Sequence, residues 1–380
     1  MLILTIAITA QRISLGSKKF DNGYRYTEYN NYRIFTAAWF HLAGDEDLYR
    51  LYPAEHWDLY KYSPSFAVWM APFAYLPDPA GLFLWNLLNV MVLFLALWKL
   101  PLPSNRTRIF LLAVILVELV TSIQNAQSNA LIAGLIVFAF HFLEKKRVAL
   151  ASLFIMLCVF IKLFGIVAFA LFLFYPGKLK GTFYSIGWGV LLAAMPLAVV
   201  SFDQLVFLYQ SWFDLLAADH SASYGYSVAG WLYSWFNLDI PKNMVLLAGG
   251  VIFLLPALRF RQYREAGFRM LFLCSVLVWV VIFNHKAESP TFIIAMTGVA
   301  IWFFTGKRNV TDIVLLLLAL LFTVLSPTDL FPKNFRNTVV TPYVLKAVPC
   351  ILVWFKIIYD LFVYGNKNST AIRDRELKPG

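Results

Sequence analysis

The sequence predicts an all-α polytopic membrane protein, and three observations lead there. Mean hydropathy is +0.68. Hydrophobic residues make up 60% of the chain and aromatics 17%, more apolar surface than a soluble domain covers with polar groups. Several apolar runs approach the roughly 20 residues that a helix needs to cross a bilayer. Only 14% of residues are charged, and the positive ones gather in short connections between those runs, as membrane orientation requires. The net charge of +11 therefore reads as orientation within lipid, with no nucleic-acid partner expected. Cys158, Cys274 and Cys350 all fall inside apolar runs, where they read as small core residues and not as a disulfide or metal framework.

Residues 1–15 read as a first spanning helix. No basic region precedes their apolar stretch and no small-residue cleavage site follows it, unlike a removable signal peptide. A polar loop, 16–79, comes next, with its acidic and aromatic residues concentrated between Asp21 and Pro64. Within it, 31–43 has the apolar spacing of an amphipathic helix. The run 64–77 is short and interrupted by Pro72, which fits an interfacial or re-entrant helix better than a span. Further spans are expected at about 80–99, 107–124, 128–143, 148–161, 163–175, 181–201, 242–260, 269–284, 291–305, 310–326 and 343–363, assigned from run length and flanking breakers. With the first helix, this gives about twelve in one integrated domain over 1–380, ending in a tail at 364–380. With the N-terminus in the cytoplasm, the clusters Lys145–Arg147, Arg259–Arg269, Lys307–Arg308 and the tail all fall inside. The segments 16–79, 124–128, 202–241, 285–290 and 327–342 then share the outer face.

Polar residues at the edge of a membrane are costly and point to function. Gln127 and Asn129 lie in the turn SIQNAQSNA, Lys162 interrupts two apolar runs in CVFIKLFG, and His285, Lys286 and Glu288 crowd the short connection FNHKAESP. Each has a plainer reading: amides cap turns, and lysines snorkel to an interface. The run Asp45, Glu46, Asp47 has the look of a solvated turn, and Asp58 and Lys61 have the spacing of a local ion pair. The segment 202–241, with Tyr226 and Trp231, reads as an aromatic, glycine-rich outer loop. Its aromatics, like Tyr62, suit either an interface belt or stacking on a sugar. No nucleotide-binding or metalloprotease motif is present.

In order along the chain, YNNYRIF, DLYKYSP, GLFLWNLLN, AQSN, EKKR, FIKLFG and FNHKAESP resemble glycosyltransferase family 87, the polyprenyl-phosphate-mannose-dependent α-mannosyltransferases of the GT-C superfamily. The wording of YNNYRIF, DLYKYSP and FNHKAESP is similar to the form found in Bacteroidetes. The resemblance covers most of the length. It implies a GT-C-type bundle in the bacterial inner membrane whose active site faces the periplasm. The donor it implies is a hexose, mannose in the first instance, on a polyprenyl phosphate, and the acceptor a glycolipid or glycan. It also implies inversion at the anomeric carbon, the lipid-phosphate sugar as co-substrate, and no protein-bound cofactor or metal.

Such a reaction needs a base at the acceptor hydroxyl and fixed positive charge at the departing phosphate. Lys61, Lys162, Lys286 and Arg336 are the candidates for the phosphate. The family usually carries an aspartate just before the amphipathic helix, where this chain has Asn31, which cannot serve as a base. Glu28 and Glu288 are the leading replacements, with His285, Asp47 and Asp58 as further candidates. Asn31, Gln127, Asn129, Tyr62, Tyr226 and Trp231 are the candidates for substrate contact. Two readings from other classes stand beside the enzyme: a carrier of lipid-linked glycans, which the lack of an internal repeat disfavours, and a non-catalytic scaffold, which Asn31 favours.

Overall fold

The computed structural model describes residues 1–20, 23–218, 223–306 and 308–365. Asp21, Lys307 and the expected tail from 366 onward lie outside the described residues. The protein is overwhelmingly helical, its only sheet among the described residues being one two-stranded hairpin. Among the described residues, three helices are long and apolar enough to cross a membrane: Asp78–Trp98, Asn105–Gln124 and Lys178–Ala198. The other apolar helices are shorter. The chain divides into two compact units, Met1–Leu95 with Val120–Ile166 and Leu179–Ser221, and Ala96–Leu119 with Val167–Lys178 and Ala222–Gly380.

The first unit opens with α1 (Leu2–Ser14) and a hairpin, β1 (Ser17–Lys19) and β2 (Arg25–Thr27), in which Ser17 faces Thr27. The polar loop is thus largely structured, and the hairpin is one element the sequence pattern did not announce. Helix α2 (Asn30–Ala43) coincides with the expected amphipathic helix, but it is enclosed: Tyr32, Phe35 and Leu42 are fully buried. Ser63 starts α3 (Pro64–Ala74) by accepting a hydrogen bond from the Phe66 N–H, with Pro64 in the first turn where its missing N–H does no harm. Next come α4 (Asp78–Trp98), the end of α5 (Asn105–Gln124), whose residues up to Leu119 belong to the second unit, then α6 (Asn129–Glu144) and α7 (Val148–Ile161). Gly134 lets α6 approach α4 closely, since a Cβ there would stand 2.8 Å from the Leu93 backbone nitrogen. Helices α8 (Lys178–Ala194) and α9 (Phe202–Ala218) complete this unit.

Expected spans and loops differ in detail at four places. The run 163–175 is a 3-10 helix, Leu163–Phe174, because α7 ends where Lys162 turns extended (φ −141°, ψ 124°). The segment 202–241 is not a loop: it contains α9 and α10 (Val228–Phe236), the latter started by Ser227 and stopped by a left-handed Asn237. The run 310–326 is α14 (Val310–Leu318) continuing into a π-helix, Ala319–Leu325. The last helix begins later than its apolar run, at Val348.

In the second unit, α11 (Lys242–Leu254), α12 (Ala266–Ile282), α13 (Phe292–Thr305), α14, the single turn α15 (Lys333–Phe335) and α16 (Val348–Val363) surround a core containing Phe272, Phe292 and Trp354, all fully buried. The three cysteines are buried and unpaired. Glu118 of α5 and Lys346 form an ion pair of 2.6 Å, with side chains 0% and 1% exposed. The Lys346 ammonium also donates to the Thr323 carbonyl (3.0 Å) and lies over the Phe292 ring.

Removing one member of such a pair strands the other, at a cost of about 3–5 kcal/mol, whereas replacing both with apolar residues is far gentler. Lys346→Met should therefore sharply lower the thermal unfolding midpoint in detergent, and Glu118→Leu/Lys346→Met should recover most of the loss. A double variant as unstable as the single would contradict this account.

Candidate functional site

Two adjacent asparagines at the head of α2 organise the polar part of the first unit. The Asn30 amide donates to the Trp57 carbonyl (2.6 Å), and the Asn30 side-chain oxygen accepts the Trp57 N–H (2.9 Å), a two-point clamp on that backbone. Phe20 and Tyr24, flanking the hairpin turn, pack against the Trp57 ring. Asp58 follows directly, in a left-handed conformation (φ 78°) that is uncommon outside glycine and marks stored strain. Its Oδ1 accepts the Leu59 N–H (2.7 Å) and lies 3.4 Å from the Lys61 ammonium. Just before the clamp, His56 is buried and its Nδ1 donates to the Asp58 carbonyl (3.0 Å). Desolvation pulls His56 below its ordinary value of 6.5.

The neighbouring Asn31 reaches the other way. Its amide donates to the Asn125 carbonyl (2.8 Å) in the turn between α5 and α6. Trp85 Nε1 donates to the Ala126 carbonyl (2.9 Å), and Ala126 takes the left-handed conformation (φ 50°) that ends α5. The turn so fixed presents Gln127 and Asn129. The Lys162 ammonium, at the break after α7, donates to Gln127 Oε1 (3.2 Å) and Asn129 Oδ1 (2.9 Å) and lies near the Tyr62 and Phe164 rings. Tyr62 itself is buried: its ring packs on Phe35 and Phe66, and its carbonyl accepts from the Tyr49 hydroxyl (2.9 Å). Burial pushes the Tyr49 and Tyr60 phenols up, so both remain protonated donors; Tyr60 serves the Ser63 carbonyl (2.7 Å). From α9, Trp212 Nε1 donates to the Lys61 carbonyl (3.3 Å) and holds the same strand of loop.

Other candidates in this unit are engaged elsewhere. Glu28 pairs with Arg12 of α1 at 3.2 Å. Asp47 Oδ1 accepts the Tyr49 N–H (3.0 Å), a local turn. His41, stacked on Tyr52, pairs with Glu55 at 3.1 Å.

In the second unit, the Tyr226 N–H donates to the Ala287 carbonyl (3.0 Å), which lays 223–227 along 285–287. Gly225 (φ 54°) permits this, because a Cβ there would sit 2.5 Å from the His285 carbonyl. His285 and Lys286 occupy the turn after α12, and Glu288 is exposed beside them. Trp231 packs edge-on to Trp235 and Phe236. Arg336 donates to the Pro327 carbonyl (2.8 Å) and pairs with Asp329 at 3.3 Å.

The sequence candidates thus fall into two groups: Glu28, Asn31, Asp47, Asp58, Lys61, Tyr62, Gln127, Asn129 and Lys162 in one unit, and Tyr226, Trp231, His285, Lys286, Glu288 and Arg336 in the other. Asn30, Trp57 and Trp85 escaped the sequence reading, because contacts between residues 27 and 41 apart leave no periodic signal. Glu118 also escaped it, although an acid in the run VILVELV is itself a signal.

A family-model comparison matches residues 60–283 to glycosyltransferase family 87. The chain belongs to glycosyltransferase family 87. It is thereby a membrane glycosyltransferase, a transferase whose family and apolar helices agree. The family 87 match spans Lys61, Tyr62, Gln127, Asn129, Lys162, Tyr226 and Trp231. No curated protein matches the chain.

The His56 geometry carries a pH dependence. As pH falls below about 6.5, the unfolded chain takes up the imidazole proton before the folded loop does. The stability His56 contributes is therefore full above that value, declines as pH drops, and is gone below the folded value. Limited proteolysis within 44–58 should run faster at pH 5 than at pH 7.5, and His56→Gln should flatten the difference. Equal pH sensitivity in both proteins would remove His56 as the cause.

Proposed function

We propose that this family 87 member transfers a hexose, mannose in the first instance, from a polyprenyl-phosphate donor to a glycolipid or glycan acceptor, with inversion. The observation that carries this reading is the first turn of α2. Its two asparagines tie the Asp58 segment on one side and the Lys162 group on the other to a single helix end. Asp58 is the base: Glu28 is paired with Arg12 and is 25% exposed, and Asp47 is taken by its own turn, whereas Asp58, whose Oδ1 meets the Leu59 N–H and Lys61, is strained and about half exposed. Lys162 supplies positive charge to the phosphate.

In this scheme the Asp58 carboxylate takes the proton of the acceptor hydroxyl, and that oxygen attacks the anomeric carbon. The carbon–oxygen bond to phosphate breaks on the opposite side, and the polyprenyl phosphate leaves with the bonding pair. Asn31 does not act as a base. Its amide hydrogen is committed to the Asn125 carbonyl, a contact that an aspartate at this position would turn repulsive. In this reading the chemistry lies at the outer, periplasmic face of the bacterial inner membrane, which the distribution of positive residues supports.

The test is transfer of radiolabelled mannose from polyprenyl-phosphate-mannose to a membrane glycolipid extract by the purified full chain. Asp58→Asn should lower kcat by about 10²–10⁴-fold, and Lys162→Met by about 10²–10³-fold. Loss of transfer in Glu288→Gln or His285→Ala, with Asp58→Asn active, would move the base to the second unit's loop. No product from any lipid-phosphate sugar would favour a carrier or a scaffold.

A further inference from the structure

Helix α6 is 16 residues long, and its N-terminus adjoins the Lys162 ammonium. A helix end of this kind offers amide N–H groups without intrahelical partners and the positive end of the macrodipole. Leu131 N–H is taken by Asn89 Oδ1 (3.1 Å), which leaves Asn129 and Ala130 as the leading amides of the helix. The side chains at this end are left over in an unusual way. Ser128 holds the N-cap position, where a hydroxyl ordinarily accepts a bond from the helix, yet it makes no cap bond. Its Oγ is fully buried and without a partner among the described residues. Asn129 is 1% exposed, and its Nδ2 likewise has no acceptor among the described residues. That nitrogen shares a carbon with the Oδ1 that receives the Lys162 bond, so the unused donor stands beside the ammonium. Buried polar groups are nearly always satisfied, and two unsatisfied ones at one cationic helix end fit an absent acceptor.

We propose that the N-terminal end of α6, with Asn129 Nδ2, Ser128 Oγ and the Lys162 ammonium, is an oxyanion seat for a phosphate monoester, the head group of the polyprenyl phosphate that leaves. The proposal rests on the donor reading above and deepens it. Lys162 gives the charge, while Asn129 and Ser128 give directed hydrogen bonds that an alcohol head group cannot fully use. Charge accumulates on the phosphate as the sugar departs, so donors fixed in advance at this end gain strength as the bond breaks. Asn129 and Ser128 are accordingly binding residues for the leaving group, and Gln127 is a positioning residue that steadies the ammonium.

The experiment measures binding of a short-chain polyprenyl phosphate to the full chain in nanodiscs, by titration calorimetry and by the ³¹P shift of the head group, with no sugar present. The corresponding polyprenyl alcohol and inorganic phosphate are run alongside. The seat predicts at least tenfold tighter binding of the phosphate than of the alcohol and competition by millimolar inorganic phosphate. It also predicts at least a tenfold loss in Asn129→Asp, which keeps shape but replaces the donor with an anion. Ser128→Ala, the gentler variant, should weaken binding two- to fivefold and move the ³¹P shift, with an unchanged thermal midpoint. Equal affinity for phosphate and alcohol, or wild-type binding in both variants, overturns the seat. Inorganic phosphate binding as tightly as the lipid would also overturn it as a lipid head-group site. Because no transfer is required, failure of the enzyme reading is distinguishable: a scaffold that never transfers sugar would still bind through an intact seat, and an enzyme with its phosphate elsewhere would transfer normally in Asn129→Asp.

Discussion

The geometry of the first unit depends on a pair of side-chain amides that point in different directions from one helix turn. Asn30 and Asn31 are adjacent, so on a helix they project about 100° apart, and each finds a backbone to hold. One grips the loop that carries Asp58, the other the turn that carries Gln127 and Asn129. An amide suits this work because it donates and accepts without charge. A carboxylate at either place could only accept, and it would face a carbonyl. The asparagine that the family resemblance marks as a departure is thus part of the scaffold, and a base has to come from elsewhere.

The legible part of the protein was the part governed by local pattern. Apolar run length announced the helical character, and the spacing of Ile34, Ala37, Ala38 and His41 announced α2 almost to the residue. Lys162 stood out because a lysine between two apolar runs is expensive, and the structure puts it against Gln127 and Asn129 of the turn that also stood out. What stayed hidden depends on distant partners. Nothing near Trp57 reveals that Asn30 holds its backbone. The segment 202–241 read as a loop because its glycines and aromatics dominate the composition, yet Ser227 and Asn237 bracket a helix with ordinary start and stop residues. The 3-10 run after Lys162 looked like another span because periodicity does not separate tight from regular helix over twelve apolar residues.

Aromatic packing explains why so polar a loop holds its shape. Phe35, Tyr62, Phe66 and Trp85 form a continuous cluster with ring centroids 4.8–6.0 Å apart. Each such contact adds of the order of 1 kcal/mol beyond its buried area. The Lys162 ammonium lies over the Tyr62 ring of this cluster while its charge meets amide oxygens. Position is thereby imposed on a flexible side chain by surroundings that are themselves stiff.

The buried pair in the second unit has a consequence for how the chain is made. Glu118 and Lys346 lie 228 residues apart, and at about 5–20 residues per second of synthesis that interval lasts on the order of ten to forty-five seconds. Throughout it, α5 has been delivered to the membrane with an acid but not its counter-ion, a burden of roughly 2.5–3.5 kcal/mol for an acidic side chain at mid-helix. The buried pair of the second unit therefore closes only late, when the segment bearing Lys346 arrives, and until then α5 carries its acid unmatched.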